Sequence, residues 1–154
     1  MPQPVVRVAK YLQPGQLHVT PTPTVITTIL GSCVSVCLFD VRTRVGGMNH
    51  FMLPQLAGSG TQSPRFGNFA MQDLLDRMLS AGAKKPFIRA HVFGGSCMFE
   101  QMRTTQHLGQ KNIQLAIDFL ALRGIDIADT NVGGDRGRKL RFHTDEGNAW
   151  QTPI

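Results

Sequence analysis

At 154 residues, with 42% hydrophobic and 17% charged residues, the chain is long enough for one domain with an ordinary core and too apolar to be disordered. Sixteen glycines and nine prolines mark many turns and disfavour a helical bundle. The formal charge of +6 is compatible with a solvated basic face or an anionic partner, but no zinc-finger spacing or RNA-binding signature accompanies the basic residues.

The first residues, MPQPVVRVAKYLQPG, lack the apolar core of a signal peptide, and no apolar run approaches the length of a membrane span. Three cysteines, an odd number, suit a reducing compartment. The expectation is a single domain over residues 1–154 in the cytoplasm. Residues 5–11 form a short β-type run closed by Pro14-Gly15, and residues 20–23 a proline-punctuated connection. Residues 24–30 are predicted as a strand that leads into the turn Gly31-Ser32 and then Cys33.

A β-hairpin follows. Residues 34–40 are rich in β-branched side chains, 45–53 are apolar with two glycines, and 41–44 form a polar break. Pairing Asp40 with Val45 sets Ser35 opposite His50 and Cys33 opposite Met52, so that Cys33 and His50 become diagonal neighbours on one face. A one-residue slip would send them to opposite faces. A thiol beside an imidazole is a nucleophile with its base, and such a base needs a third group to orient it. Thr27 is the candidate for that role, through its hydroxyl or its backbone carbonyl. The alternative is a small core cysteine and a hydrogen-bonded core histidine. On the catalytic reading, Cys33 has a depressed pKa and is the most readily alkylated of the three cysteines. Gly31 and Ser32 can aim backbone N–H groups at an oxygen beside the sulfur, or form a plain turn.

Residues 56–67 are rich in Gly, Ser and Pro and form a loop, either a substrate-contact segment or a surface connection. The helical period then begins: Met71, Leu74, Leu75, Met78 and Leu79 share a face, Asn68 is the expected cap and Gly82 the stop. Residues 87–93 are a predicted strand. Gly94-Gly95 after it allows close backbone approach to another element or to a substrate. A second helix spans 109–123 with Ile113, Ala116, Ile117 and Leu120 buried and Gly124 beyond its end. Strands over 125–131 and 138–144 flank a glycine turn, and residues 145–154 are expected to be loose. The fold class is α+β, a mixed or antiparallel sheet with two helices packed outside.

Several stretches carry a resemblance. Thr27, the run Leu30-Gly31-Ser32-Cys33-Val34, the run Gly46-Gly47-Met48-Asn49-His50-Phe51-Met52-Leu53-Pro54, Phe93-Gly94-Gly95-Ser96-Cys97-Met98-Phe99, Leu108-Gly109-Gln110-Lys111-Asn112 and residues 129–138 together resemble the CheD family of chemoreceptor glutamine deamidases. The resemblance covers nearly the whole chain; Cys97 stands where a small residue such as alanine is usual. It implies two facing sheets flanked by helices, similar to the deamidase domain of cytotoxic necrotizing factors. It implies hydrolysis of receptor glutamines to glutamate through a thioester, with Cys33, His50 and Thr27 as catalytic residues; the turn residues Gly31 and Ser32 remain the oxyanion candidates and Gly94 and Gly95 the substrate-contact candidates. It also implies glutamyl methyl ester hydrolysis as a side reaction, methyl-accepting chemotaxis receptors as protein substrates, contact with the membrane through those receptors only, and a CheC-type phosphatase as partner.

Other chemistries fit less well. Cys33 and Cys37 lack the second pair that a zinc site needs, and His18, His91, His107 and His143 are scattered, so neither a metal nor a cofactor is expected. The glycine-rich stretch 133–138 has no Walker lysine. The basic cluster Arg136, Arg138, Lys139 and Arg141 reads as a solvated face, with no nucleic-acid partner expected. The remaining competitors are a different cysteine hydrolase and a non-catalytic adaptor in which Cys33 is structural.

Overall fold

The structure is a computed structural model that describes residues 4–55, 63–102 and 107–154. Residues 56–62 of the expected loop therefore lie outside the described residues. The strands are β1 (Val8–Tyr11), β2 (Leu17–Thr20), β3 (Thr24–Leu30), β4 (Val34–Asp40), β5 (Val45–Asn49), β6 (Arg89–Gly94), β7 (Asp126–Val132), β8 (Arg138–His143) and β9 (Ala149–Pro153), with helices α1 (Gly67–Ser80) and α2 (Leu108–Leu122).

They form two mixed sheets. One has the order β1-β3-β8-β9 and the other β2-β5-β4-β6-β7; only β1·β3 and β6·β7 are parallel pairs. Both helices pack on the five-stranded sheet, so the order of layers is sheet, sheet, helices. This is the expected α+β fold with facing sheets, but among the described residues the helices cover one side only. The four-stranded sheet turns its second face to solvent, with Tyr11, Ile29 and Trp150 each about half exposed.

Two cores result. Val34, Val36, Leu38 and Phe51 join α1 and α2 in one, while Cys37, Met48 and Phe93 meet Ile26, Leu30, Leu140 and Phe142 between the sheets. Strand β4 is buried on both faces, which is why it reads as a nearly unbroken apolar run. The β4–β5 register is the predicted one, with Asp40 opposite Val45 and Cys37 opposite Met48. Asp40 fixes the tight turn by accepting hydrogen bonds from Arg42 N (3.0 Å) and, through its other oxygen, from Lys84 N (2.9 Å).

Several boundaries differ from expectation, each for a local reason. Strand β1 begins at Val8, opposite Thr24, the first residue of β3; Arg7 before it pairs instead with Asp145 at 2.8 Å. Helix α1 begins at Gly67 and Asn68 does not cap it. Its first free amides are taken by chain carbonyls, Gly67 N by Leu53 O (2.7 Å) and Asn68 N by Pro54 O (2.9 Å), so no side-chain cap is required. Leu79 falls off the buried stripe and is 41% exposed. A one-turn 3-10 helix, Lys85–Phe87, precedes β6, which starts at Arg89. The C-terminal segment is not loose: residues 149–153 form β9, which pairs with β8 from Phe142–Ala149 to Arg138–Pro153.

Candidate active site

Strand β3 belongs to one sheet and β4 to the other, so the turn 31–33 carries the chain across the gap between them. Its three carbonyls are all taken: Gly31 O by Ser96 N (3.0 Å), Ser32 O by the Asn112 side-chain amide (3.1 Å) and Cys33 O by Gly95 N (2.9 Å). In a trans peptide the N–H opposes the preceding C=O, so the amides of Ser32 and Cys33 point away from Ser96 and Asn112.

Gly94 and Gly95, expected near a substrate, support this turn from behind. Gly94 has φ +105°, and a Cβ there would stand 2.2 Å from Cys33 O. Gly95 has φ +74° and packs on Ile113 of α2. Their freedom from side chains is spent on letting β6, α2 and the cysteine turn come together.

His50 follows the end of β5. Regular pairing stops because the Asn49 side chain takes over: its Oδ1 accepts from Val36 N at 2.8 Å. The His50 backbone bonds to the β1–β2 connection, N to Gln16 O (3.1 Å) and O from Gly15 N (2.8 Å). Phe51 then returns to Val34 through two hydrogen bonds of 3.0 and 3.1 Å. Val34 and Phe51 both face the helices. Their neighbours Cys33 and His50 therefore share the other face, toward the opposing sheet, and Cys33 packs against the inter-sheet core.

His50 is 1% exposed and its ring meets Thr28, not Thr27. Thr28 Oγ1 lies 2.8 Å from His50 Nδ1 and donates its own hydrogen to Leu12 O at 2.8 Å. A hydroxyl has one hydrogen, and a carbonyl can only accept, so Thr28 must accept from an Nδ1–H. The tautomer is thereby fixed: Nε2 carries the lone pair, and Nε2 is buried with no hydrogen-bond partner among the described residues. Thr27 lies on the outward face of β3, and its carbonyl is engaged by Leu12 N (2.8 Å), so neither of its expected routes to His50 is in use. In the fold Ile26 and Leu30 point inward, so the even positions of β3, Thr28 among them, face the core.

Electrostatics correct a second expectation. Burial lowers the His50 pKa to about 4, so the ring is neutral at physiological pH. Burial also raises the Cys33 thiol above its ordinary value, opposed only by its own backbone N–H. The resting pair is thus thiol and neutral imidazole. A neutral ring offers no charge to hold a thiolate, so the expected depression of the thiol is absent. Cys33 remains the most accessible cysteine, since Cys37 and Cys97 are buried.

The other singled-out residues have structural partners. His91 Nε2 lies 2.6 Å from Gly147 O, His107 caps α2 by accepting from Gln110 N (3.1 Å), and His143 packs edge-on to Trp150. The basic cluster is divided by strand alternation: Arg138 is buried and donates to the carbonyls of Asn131 and Gly133, while Arg141 faces solvent.

Comparison with known proteins gives a consistent picture. Residues 52–153 match the family model described as CheD chemotactic sensory transduction. The chain is 48% identical to "Probable chemoreceptor glutamine deamidase CheD 1" of Anaeromyxobacter dehalogenans, over 94% of this chain and 84% of that protein. It is 43% identical to "Probable chemoreceptor glutamine deamidase CheD" of Trichlorobacter lovleyi, over 87% of this chain and 83% of the relative. A similarly named protein of Rhodospirillum rubrum is 40% identical over 97% of this chain and 81% of its own.

Proposed function

The chain belongs to the CheD family, and we propose that it hydrolyses glutamine side chains of chemoreceptors to glutamate, with Cys33 as nucleophile and His50 as acid–base. The observation that carries the proposal is the relay from Leu12 O through Thr28 to His50, which leaves a neutral Nε2, without a hydrogen-bond partner among the described residues, on the face shared with Cys33.

In this reading the thiol proton passes to His50 Nε2 as Sγ bonds to the carboxamide carbon, and the amides of Ser32 and Cys33 receive the oxygen that becomes negative. His50 gives the proton to the departing nitrogen. The C–N bond breaks, ammonia leaves, and a thioester remains. Water attacks the thioester carbon and yields a proton to His50; the C–S bond breaks, glutamate forms, and the proton returns to sulfur. A glutamyl methyl ester would reach the same thioester with methanol leaving. Thr28 fills the orienting position, and Gly94 and Gly95 serve by shaping the turn. The proposal carries with it a cytoplasmic location and a CheC-type phosphatase as partner.

The test is incubation with a chemoreceptor cytoplasmic fragment, reading ammonia release and Gln-to-Glu conversion by mass spectrometry. Conversion by the wild type and none by a folded Cys33→Ala protein is the expected result. Equal conversion by both would remove the nucleophile and favour a different role for the fold.

A further inference from the structure

Resting on that reading, we infer that Asn112 is a positioning residue that sets Cys33 against His50. Asn112 is fully buried on α2, and its side-chain nitrogen donates to Ser32 O at 3.1 Å and to Met52 O at 3.0 Å. Ser32 immediately precedes the nucleophile, and Met52 lies two residues beyond the histidine. One nitrogen thus joins the two segments whose separation governs the reaction.

These segments have few other ties. The regular β4–β5 ladder ends at Cys37–Met48, and the His50 backbone turns away to Gln16 and Gly15. Past that point the described residues join the two segments through the bond from Val36 N to Asn49 Oδ1, the Val34–Phe51 pair and Asn112. Helix α2 is a firm base for the clamp. A Cβ on Gly109 would stand 2.3 Å from Gly95 O, and Gly95 N holds Cys33 O, so helix, glycine pair and cysteine turn form one packed block.

The chemistry is selective. A carboxamide offers two N–H groups on one atom, one for each carbonyl. An aspartate would set an oxygen against both acceptors. Asn112 Oδ1 is itself buried with no partner among the described residues, a cost that a residue present only for packing would not carry. The segment Leu108-Gly109-Gln110-Lys111-Asn112 gains a purpose in this way: its glycine lets the helix approach and its asparagine fixes the nucleophile's distance.

The experiment compares Asn112→Ala and the near-isosteric Asn112→Leu, each alone and combined with His50→Ala, below the melting temperature of each protein. Two readouts are taken: iodoacetamide alkylation of Cys33 against pH, and kcat and KM for deamidation of a receptor fragment. We expect kcat to fall roughly 10- to 100-fold with KM within about twofold, as for a misplacement of about 1 Å. Alkylation should slow in the single variants and be unaffected by Asn112 once His50 is gone. The inference is overturned if folded variants keep wild-type kcat, if the alkylation deficit is the same with and without His50, or if neither variant folds, since each outcome makes the role structural. A wild type whose Cys33 alkylation depends on both residues but which converts no receptor glutamine would defeat the deamidase reading while leaving the positioning role in place.

Discussion

The Thr28 hydroxyl stands 2.8 Å from His50 Nδ1 while giving its only hydrogen to the Leu12 carbonyl. Those two bonds decide which nitrogen of His50 carries the lone pair that the proposed reaction would use. Thr28→Val keeps the side-chain shape and removes the acceptor. It leaves Leu12 O and Nδ1 unsatisfied in the interior, which should cost about 1–3 kcal/mol of stability. Activity should fall on the order of 10- to 100-fold as the ring is free to rotate and exchange tautomers. Thr28→Ser should recover most of it, and Thr27→Val should lie within about twofold of wild type. Steady-state kinetics with thermal melts would check the set, and a harmful Thr27→Val beside a harmless Thr28→Val would reverse the assignment.

The pH dependence follows from burial of His50. A base with a pKa of about 4 is already neutral at pH 6, so the acid limb of kcat/KM should lie near pH 4–5, well below that of an ordinary histidine. A rate that halves near pH 6.5 would contradict the geometry.

The same shift links His50 to stability. An unfolded histidine binds its proton near pH 6.5, while the folded one resists until about 4. Between those values the unfolded state holds more protons, so stability rises with pH across the window and is lost as pH falls through it. The contribution is at most about 3 kcal/mol above pH 6.5. Denaturant melts of wild type and His50→Gln should differ in slope between pH 4 and 6.5 and run parallel above. Identical slopes throughout would show that the ring titrates normally.

Cys33 should behave as a protonated thiol that needs its base. Its alkylation by iodoacetamide should still be rising above pH 8.5, because burial raises its pKa, and should slow in His50→Ala. It should nevertheless precede Cys37, which is inaccessible. A rate plateau reached by pH 6 would instead reveal a preformed thiolate.

Gly94→Ala tests the support of the turn. A methyl group would meet Cys33 O at 2.2 Å at φ +105°, so the turn must move or strain. A loss of about 1–3 kcal/mol in stability is expected, together with a larger proportional loss of activity than of folded protein. Gly124→Ala, at φ +69° with nothing within 4 Å, is the control: strained in backbone but remote from the cysteine turn.

The hairpin register is legible in the sequence because the polar break 41–44 admits one tight pairing of the two apolar runs, and Asp40–Val45 fixes all that follows. Strand β3 is harder. Val25 and Ile29 are as apolar as Ile26 and Leu30, so either parity resembles a buried face, and the spacing of the family motif favoured Thr27 over its neighbour. The helix start is hidden for another reason. Leu53 and Pro54 cap α1 from a distant loop, and no local residue records that. Strand β9 is missed because Ala149-Trp150-Gln151-Thr152-Pro153 has a weak alternation and acquires its partner only when β8 is in place. The thiol's raised pKa also lies beyond the sequence, since it depends on how deeply the turn sinks between the sheets.

The crossing of the chain at residues 31–33 has one more consequence. Cys33 and the His50 ring hang from the five-stranded sheet, while Thr28 and Leu12, which dictate the ring's tautomer, belong to the four-stranded sheet or extend from it. Neither half alone holds a directed base. A nascent or partly opened chain that has built one sheet therefore exposes a thiol without the means to use it. On the proposed mechanism amide cleavage requires both halves docked, so turnover should be a sensitive gauge of tertiary integrity, lost before secondary structure as the molecule is loosened.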